Sequence, residues 1–424
     1  MGHQELEQTL KEVWALQGFV VESVELEAAS ERGPNRRAAK LVRLRDVRGV
    51  HHCPECGRTH REVLFEESEE RRWRDRSLGD FETFVVIAPF RIACCGGTRV
   101  EQMPWEVTGH RMTRRFFELL AGLCRRLPVS EVAKMAGLSW DTVCRVDKRS
   151  IDLALGGKRP SLEGLRWIGV DEVSRTGGHV YFTVVTDLKS GSVVWLGEGK
   201  KAETLSSFFR ELGPERCRRI EGVISDLGPA YVGVIKEAVP HAIHLLDRFH
   251  VIKWMNEAVD AIRREVFGGA PRDELGRTLK VKKWMLLRAH EALDLGQKRL
   301  LGRLLARNRV LQRAYLLKEA LRGIFQYGWI YLGALRNALE NWCRMAIRSR
   351  MKSLAQVGYR LREHMDKLIG GFEHGIKMGL VEAINGKIAQ LRRQAHGYRD
   401  PAYFMLKIYE VCYLKNDPWA QVVL

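Results

Sequence analysis

The chain has 424 residues, 45% of them hydrophobic, and a formal net charge of +18. This length allows two to four domains, and no apolar stretch approaches the roughly 18 residues that a membrane span needs. The charged, helical pattern of residues 1–16 contains no apolar signal region, so we expect a cytoplasmic protein that is not bound to a membrane.

The first 106 residues divide into two predicted regions. Residues 1–40 are predicted as an N-terminal helix and a polar loop, and residues 41–106 as short β-strands around the sequence CPECG. Nine cysteines in a chain without secretory features indicate reduced thiols and a metal site rather than a disulfide framework. Cys53 and Cys56 have the spacing of a zinc-ribbon knuckle, and a structural zinc ion needs four ligands. Residues 41–106 are therefore predicted as a zinc-ribbon-like module.

Residues 107–158 have the pattern of a helix-turn-helix DNA-binding domain. Ala133 packs in the first helix, Gly137 permits the tight turn, and Ser139 caps the recognition helix that follows. Val143 and Val146 are expected to face the core of this domain. The residues left to face DNA are Trp140, Asp141, Thr142, Arg145, Lys148 and Arg149. The alternative is an ordinary helical hairpin that packs against the next domain.

Residues 159–262 alternate strand-like and helix-like segments in the order β-β-β-α-β-α-β. This is the order of an RNase H-like mixed sheet. Asp171 ends the apolar run WIGVD, and Asp226 ends the run GVISD. We therefore expect both aspartates at the carboxyl ends of two adjacent, parallel strands, although a single acid in such a position is more often a turn or cap residue.

Residues 263–367 are predicted as a basic helical insertion, and residues 368–424 as the second part of the core. Residues 261–400 contain 29 Lys and Arg against 12 Asp and Glu, an excess of 17 that accounts for nearly all of the net charge. This concentration favours a polyanionic partner over a merely solvated helical surface. Trp284, Trp329 and Trp342 lie among these basic helices, where packing in the core is a commoner role than stacking on bases.

The late acid Glu382 completes a possible metal site with the two strand aspartates. Transfer of a phosphoryl group on DNA needs two divalent cations about 4 Å apart, and Mg²⁺ prefers carboxylate oxygens. Asn385 lies one turn after Glu382 on the same helix face, where it can steady a carboxylate or a phosphate. Glu172 should point away from Asp171, and Asp187 is expected to stabilise the turn DLKSGS. Asp247 and His250 are candidates for supporting the site, with a helix-start role equally open for Asp247. Arg392 and Arg393 are candidates for binding phosphates near the cleavage site.

Three stretches carry a resemblance to the ISL-three family of bacterial insertion-sequence transposases. They are GVDEVSRTGGHVYFTVVTDLKSG, ISDLGPAYVGVIKEAVPHAIHLLDRFHVIKWMNEAVDAIRRE and VEAINGKIAQLRRQAHGYRDPAYF. With the cysteine motif and the helix-turn-helix, the resemblance covers about residues 41–412. It implies a DDE transposase in which Asp171, Asp226 and Glu382 hold two Mg²⁺ or Mn²⁺ ions. It also implies that water and then a freed 3′-hydroxyl act as nucleophiles.

The family resemblance also implies a second CxxC pair, and here this chain departs from the pattern. At the corresponding place it has Cys94 and Cys95 side by side, and neighbouring cysteines rarely both reach one tetrahedral ion. His51, His52 or His60 can replace a missing ligand in one interpretation. A metal-free ribbon is the other.

The sequence thus predicts a multidomain α/β protein with an RNase H-like mixed-sheet catalytic core, preceded by a zinc-ribbon-like module and a helix-turn-helix. The predicted function is a nucleoid-associated DNA transposase that binds the inverted-repeat ends of an insertion sequence, cuts them and joins them to target DNA. A homo-oligomer on double-stranded DNA would bring two ends together. A DNA-binding regulator that does not use the acids and another two-metal nuclease, such as a resolvase, are the alternatives.

Overall fold

The computed structural model describes residues 18–28, 38–61, 69–78, 80–175, 180–226, 228–268, 283–327, 331–376, 379–395 and 397–414. The chain divides into two compact units, one of Met1–Arg159 with Leu414–Leu424 and one of Pro160–Tyr413. The predicted helix at residues 1–16 and Trp329 lie outside the described residues. Within the described ranges, no helix is both long enough and apolar enough to cross a membrane.

The first unit is built on a six-stranded sheet with the order β1-β2-β6-β5-β10-β9. Its strands are β1 (Phe19–Glu27), β2 (Ala39–Asp46), β5 (Arg71–Leu78), β6 (Phe81–Ile87), β9 (Glu106–Val107) and β10 (His110–Thr113). Two small hairpins lie outside this sheet, formed by β3 (His51–His52) with β4 (Thr59–His60) and by β7 (Arg91–Cys94) with β8 (Gly97–Val100). Trp73 and Trp105 meet edge to face in the core of the sheet.

The sheet is larger than the sequence analysis predicted. Strand β1 falls within the region predicted as helix and loop, and it pairs antiparallel with β2 over Phe19–Glu27. The alternation of apolar and polar residues in FVVESVELE, with period two, is the signal that was missed. Strands β9 and β10 extend β structure beyond residue 106, where the helical domain was predicted to begin.

Three helices follow the sheet, as the helix-turn-helix pattern predicted. They are α1 (Arg114–Cys124), α2 (Val129–Ala136) and α3 (Trp140–Ala154). Gly137 has φ +66° and ends α2 in the left-handed conformation that glycine adopts easily. The Ser139 hydroxyl accepts a hydrogen bond from the Thr142 N–H at 3.2 Å, which caps α3. Val143 and Val146 are fully buried against α1 and α2, as expected.

The second unit contains a five-stranded mixed sheet with the order β13-β12-β11-β14-β15. The strands are β11 (Trp167–Ser174), β12 (Tyr181–Asp187), β13 (Ser192–Glu198), β14 (Gly222–Ser225) and β15 (Ile243–Leu246). Strands β11, β14 and β15 are parallel, and β12 forms antiparallel ladders with β11 and β13. The predicted order of strands and the predicted adjacency of β11 and β14 are therefore present.

Helices cover both faces of this sheet. The helices between its strands are α4 (Ala202–Leu212), the short α5 (Pro214–Cys217) and α6 (Pro229–Ala238). Helices α4 and α6 pack on the face that contains Ile168 and Val170. On the opposite face, Val381 of α14 (Leu380–Gln394) packs on Ile224 and Leu245. Helix α15 (Pro401–Cys412) follows and places Phe404 against Phe182.

A helical region lies between β15 and α14. Its helices are α7 (Arg248–Gly268), α8 (Lys283–Leu287), α9 (Leu295–Arg307), α10 (Arg309–Gln326), α11 (Leu332–Ile347), α12 (Lys352–Glu363) and α13 (Met365–Glu373). Leucines at helical spacing, together with Trp342, form one buried core that joins these helices. Trp342 is completely buried, as the packing interpretation predicted, whereas Trp284 is 65% exposed and contradicts it.

Candidate active site

Asp171 lies within β11 and does not end it, which corrects the expectation of a strand end. The antiparallel ladder with β12 continues past Asp171 to Ser174. On the other side, the parallel ladder with β14 stops at the pair Val170 and Ser225. Asp171 is therefore the first residue beyond the β11–β14 ladder, level with the position that Asp226 occupies after β14.

Asp226 follows β14 directly and faces the beginning of α7. Its carboxylate lies 3.7 Å from the Nε2 atom of His250. The Ser225 hydroxyl lies 2.9 Å from the Asp226 carbonyl oxygen and 2.8 Å from His244 Nε2. These contacts fix the backbone at the strand end, and the sequence offered no signal for the Ser225–His244 pair. Asp226 thus follows a strand end that is fixed by hydrogen bonds of Ser225.

Helix α14 brings Glu382 and Asn385 to the face of the sheet on which Asp171 lies. The Asn385 side-chain amide donates a hydrogen bond of 2.5 Å to Asp171 Oδ2, which is the steadying contact proposed from the sequence. Gly169 makes this approach possible, because a Cβ atom there would lie only 2.5 Å from Val381 Cγ2. The spacing of Gly169 and Asp171, two residues apart on one face of β11, sets the helix directly over the aspartate.

We expect Gly169→Ala to slow DNA cleavage by about 10- to 100-fold, because α14 must move and a displacement of about 1 Å can have that effect. Overpacking should also lower the free energy of unfolding by about 1–3 kcal/mol. The double variant Gly169→Ala, Val381→Ala restores space and should recover much of the rate. Gly323→Ala, where a Cβ meets nothing within 4 Å, is the control. Full activity of Gly169→Ala would contradict the close approach of α14.

Asp171, Glu172, Glu382 and His250 line an open cavity of about 620 Å³, and Asp226 lies beside His250 of this lining. Burial raises the pKa of Asp171, although the Glu172 backbone N–H and the Asn385 amide favour its charged form. In the described part of the chain, the carboxylate oxygens of Asp171, Asp226 and Glu382 do not all lie within 4.8 Å of one another. A single ion held by all three acids is therefore not preformed.

Asp247 combines the two roles that the sequence left open. Its carboxylate accepts the Phe249 N–H at 3.0 Å at the start of α7, which is a helix-start contact. The residue is only 3% exposed, and burial raises its pKa to about 7, with the charges of Asp171 and Glu382 adding to the shift. Asp247 is therefore both a cap and a neighbour of the acidic site.

Asp187 has the position expected of an acid outside the site, whereas Glu172 contributes to the lining of the cavity next to Asp171. Glu172 alternates to the other face of β11, where it interacts with Tyr231 and burial raises its pKa. Asp187 accepts hydrogen bonds from the backbone N–H groups of Lys189 and Ser190 at 3.1 and 3.0 Å. It stabilises the β12–β13 turn, as predicted.

The two arginines of α14 differ in their surroundings. Arg392 donates a hydrogen bond of 2.7 Å from Nη1 to the Ser174 carbonyl at the end of β11. One of the donor groups of its guanidinium is therefore already used within the protein. Arg393 is exposed. Arg393 is therefore a better candidate than Arg392 for binding phosphates, because Arg392 also holds α14 against the sheet.

The predicted DNA-facing residues of α3 form a partly exposed surface. Trp140 is 50% exposed, and Arg145 is exposed with no partner among the described residues. Thr142, Lys148 and Arg149 are half-buried, and Arg149 forms an ion pair of 2.9 Å with Asp152. Arg145 is thus the basic side chain of this set that is most available to a ligand.

The four predicted cysteine ligands form a cluster, despite the adjacency of Cys94 and Cys95. Their sulfur atoms all lie within 4.8 Å of one another. Cys53 faces Cys95 at 3.9 Å, and Cys56 faces Cys94 at 3.5 Å. Cys95 has φ +52°, and this left-handed turn of the β7–β8 hairpin directs both neighbouring thiols to the same side.

The electrostatics of the cluster favour one thiolate. The backbone N–H groups of Cys56 and Glu55 lower the pKa of Cys53 to about 7. Contact with Cys56 raises the pKa of Cys95 to about 12 and also raises that of Cys94. His51 takes no part in the cluster, because its Nδ1 lies 3.1 Å from Glu101, and the alternative histidine ligands are not needed.

Two family models and several relatives match this chain. A model for the DDE domain of family ISL3, described as a transposase, matches residues 168–408. A model described as the helix-turn-helix domain of transposase family ISL3 matches residues 101–151. The chain is 31% identical over 399 residues to the transposase for insertion sequence element IS1001 of Bordetella parapertussis, a match that covers 92% of this chain and 95% of that protein. It is 30% identical over 406 residues to the transposase for insertion sequence element IS1557 of Mycobacterium tuberculosis, over 90% of each chain.

These matches cover the strands and helices that carry the acids as well as the helices of the first unit. The DDE domain implies an RNase H-like core and the use of a divalent metal, and the helix-turn-helix implies binding to DNA. The chain belongs to the ISL3 family of insertion-sequence transposases.

Proposed function

We propose that this protein cuts the inverted-repeat ends of an insertion sequence and joins them to target DNA. The observation that carries the proposal is that Asp171 and Glu382 line one cavity together with His250, whose Nε2 lies 3.7 Å from the Asp226 carboxylate, in a member of this family. The exposed or half-buried carboxylate oxygens are hard ligands that suit Mg²⁺ or Mn²⁺. Two such ions, held by Asp171, Asp226 and Glu382, would serve the two oxygens of the phosphoryl transfer.

Bound metal ions would activate the attacking oxygen and stabilise the leaving oxygen. Side chains of this protein would position the ligands: Asn385 orients Asp171, and His250 lies beside Asp226. Water would be the first nucleophile, and the 3′-hydroxyl that it frees would be the second. Neither step requires a covalent bond between protein and DNA.

The cysteine cluster is proposed to hold one structural zinc ion. Four thiol sulfurs at these separations match the donor set of a closed tetrahedral site. The lowered pKa of Cys53 supports this, because thiolates are the zinc-binding form. The raised pKa values of Cys94 and Cys95 indicate that further thiolates need a cation to compensate their charge.

The partners that we propose are double-stranded end DNA, target DNA and further copies of the chain. Helix α3 would read the ends in the major groove through its exposed face. The basic helices between β15 and α14 and Arg393 would bind phosphates. A homo-oligomer would bring two ends together, in the cytoplasm and on the nucleoid.

Cleavage of duplex DNA that carries the repeats flanking this gene tests the proposal. We expect cuts at the repeat ends that require Mg²⁺ or Mn²⁺ and do not occur in scrambled duplex. Specific binding without cutting under either metal would favour a DNA-binding regulator. Cutting at branched or unrelated DNA in preference to the ends would favour another two-metal nuclease.

Arg145→Ala should weaken binding to end DNA about 5- to 150-fold, since one good contact with a base contributes about 1–3 kcal/mol. Arg145 is exposed on the predicted recognition helix. Fluorescence anisotropy with end and scrambled duplexes at one salt concentration measures the effect. Arg219→Ala, an exposed arginine just before β14 in the second unit, is the control. Equal losses on both duplexes would assign Arg145 to phosphate contact instead of sequence reading.

A further inference from the structure

Trp284 is an exposed aromatic residue beside the acidic cavity. Its side chain is 65% exposed, whereas Trp342 in the same group of helices is completely buried. Trp284 lines the cavity that contains Asp171 and Glu382, and it also lines a second cavity of about 410 Å³. The second cavity is lined by the apolar Met285, Leu293 and Leu300 and by the polar Asp294 and Gln297, and Arg288 is shared between the two cavities. The indole thus forms part of the wall of both cavities.

The backbone that carries Trp284 is firmly held although its ring is exposed. Met285 and Leu286 are buried in the helical core. The fully buried Lys318 donates hydrogen bonds of 2.7 Å to the carbonyl oxygens of Leu286 and Arg288. Lys283 pairs with Asp260 of α7 at 3.3 Å. A large aromatic ring on a fixed backbone loses little entropy when a flat ligand stacks on it.

The polar groups near Trp284 are suited to a nucleotide. Lys253 and Arg288 are exposed cations that form no ion pair within the described part of the chain. Asn256 lines the same cavity, and its Oδ1 atom is buried without a hydrogen-bond partner. The other cations of the cavity, Arg264 and Lys283, are paired with Asp260. Glu257 is the exposed acid of this group, so the exposed cations Lys253 and Arg288 outnumber it.

We propose that Trp284 stacks on a nucleobase that leaves the DNA helix next to the cut. Arg288 and Lys253 would hold the adjoining phosphates, and the second cavity, with both apolar and polar side chains in its lining, would receive the base. Stacking of this kind tolerates any base, since every base has a π face. The inference rests on the proposed function, because it places the base relative to the acids of that site.

The geometry limits which nucleotide is extruded. His250 lies beside Asp226, and Asp260, which pairs with Lys283, lies ten residues later on α7. Ten helical residues span about 15 Å, which corresponds to about four nucleotides of a DNA strand. The stacked base should therefore be one of about four that adjoin the cut. If a side chain of the protein filled this cavity instead of a base, the effect of Trp284 on cleavage would not depend on the position of a nucleotide in the DNA.

The first test compares cleavage of fully paired end duplex with end duplex mismatched at each of these positions. Trp284→Ala should be about 5- to 100-fold slower on the paired duplex, and Trp284→Phe should retain most of the rate. One mismatched position should restore Trp284→Ala to within a few-fold of wild type, because unpairing a mismatched base costs less. Tyr359→Ala, an exposed aromatic residue that lines neither cavity, should resemble wild type on both.

The second test follows the base itself without any cleavage. In the Asp226→Asn background, 2-aminopurine is placed at each of the same positions, and its fluorescence should change on binding at one position only when Trp284 is present. Equal signals with Trp284→Ala, or equal slowing on paired and mismatched duplexes, would overturn the proposal. A wild type that cuts no end duplex would instead contradict the proposed function, and the fluorescence would still decide the role of Trp284.

Discussion

Asp226→Asn is expected to abolish metal-dependent cleavage of end DNA while leaving DNA binding intact. The loss should be at least about 10³-fold, since metal ions contribute several kcal/mol to the stabilisation of a transferring phosphoryl group. Asparagine keeps the size of aspartate but removes the charge that holds a cation. Asp171→Asn and Glu382→Gln should behave alike, because all three acids face one cavity or its edge. Gel assays of cutting and anisotropy assays of binding separate the two effects.

The control for these variants is Asp187→Asn. Asp187 lies in the same sheet, but its carboxylate stabilises a turn by accepting backbone N–H groups. This variant should cut end DNA at nearly the wild-type rate. If Asp226→Asn cuts as fast as Asp187→Asn, the assignment of the metal-binding acids is wrong.

Thermal unfolding supplies a second measurement for the same acids. Burial raises the pKa of Asp171, so its ionised form at neutral pH costs folding free energy when no metal is bound. Asp171→Asn removes this charge and should not lower the Tm of the metal-free protein. Mg²⁺ should raise the Tm of the wild type by mass action but have a much smaller effect on this variant. A large fall in the Tm of metal-free Asp171→Asn would point to a structural role instead.

The core of the second unit followed from the sequence because its signals are local. The apolar runs before Asp171 and Asp226 predicted buried strands, and the turn at DLKSGS predicted the β12–β13 hairpin. The helix-turn-helix was predictable because Gly137 and Ser139 act within a few residues of their own positions. In these cases the residue that carries the signal also makes the contact.

Features that depend on distant partners were not predictable in the same way. The continuation of β11 beyond Asp171 depends on its pairing with β12. The hydrogen bond of the Arg392 guanidinium depends on the position of the Ser174 carbonyl. The exposure of Trp284 depends on which side of α8 packs into the helical core. A tryptophan among leucines and arginines has the same local pattern whether it is buried or exposed.

The adjacent cysteines show a third kind of difficulty, in which the local rule is right in general but does not apply here. Neighbouring side chains in extended backbone point to opposite sides. Cys95 instead adopts φ +52°, next to Gly96 at φ +74° and Gly97, so the chain turns between the two thiols. The glycines of CCGG were the available signal, because they permit the tight β7–β8 hairpin that the left-handed residue requires.

Removal of zinc is expected to unfold the two cysteine-bearing hairpins. The apparent binding free energy of a structural zinc site is about 10–16 kcal/mol, which is comparable to the total stability of a typical domain. Hairpins β3–β4 and β7–β8 have two and four residues in each strand, too few to be stable alone. We therefore expect one zinc ion per chain, and Cys56→Ser or a strong chelator should make residues 51–61 and 91–100 sensitive to protease.

The matched control for this prediction is Cys217→Ala, which changes a buried cysteine of the second unit that contacts no other cysteine. This variant should keep its zinc and its protease resistance at the hairpins, with at most a modest loss of stability. Cys56→Ser should lose zinc because three thiols leave the tetrahedral site open, and an open site exchanges its metal. If the wild-type protein carries no zinc and its hairpins resist protease as well as those of Cys217→Ala, the four sulfurs are held by the fold alone. The left-handed turn at Cys95 would then have to be stabilised by the Arg99–Glu55 ion pair, which joins the two hairpins at 2.7 Å.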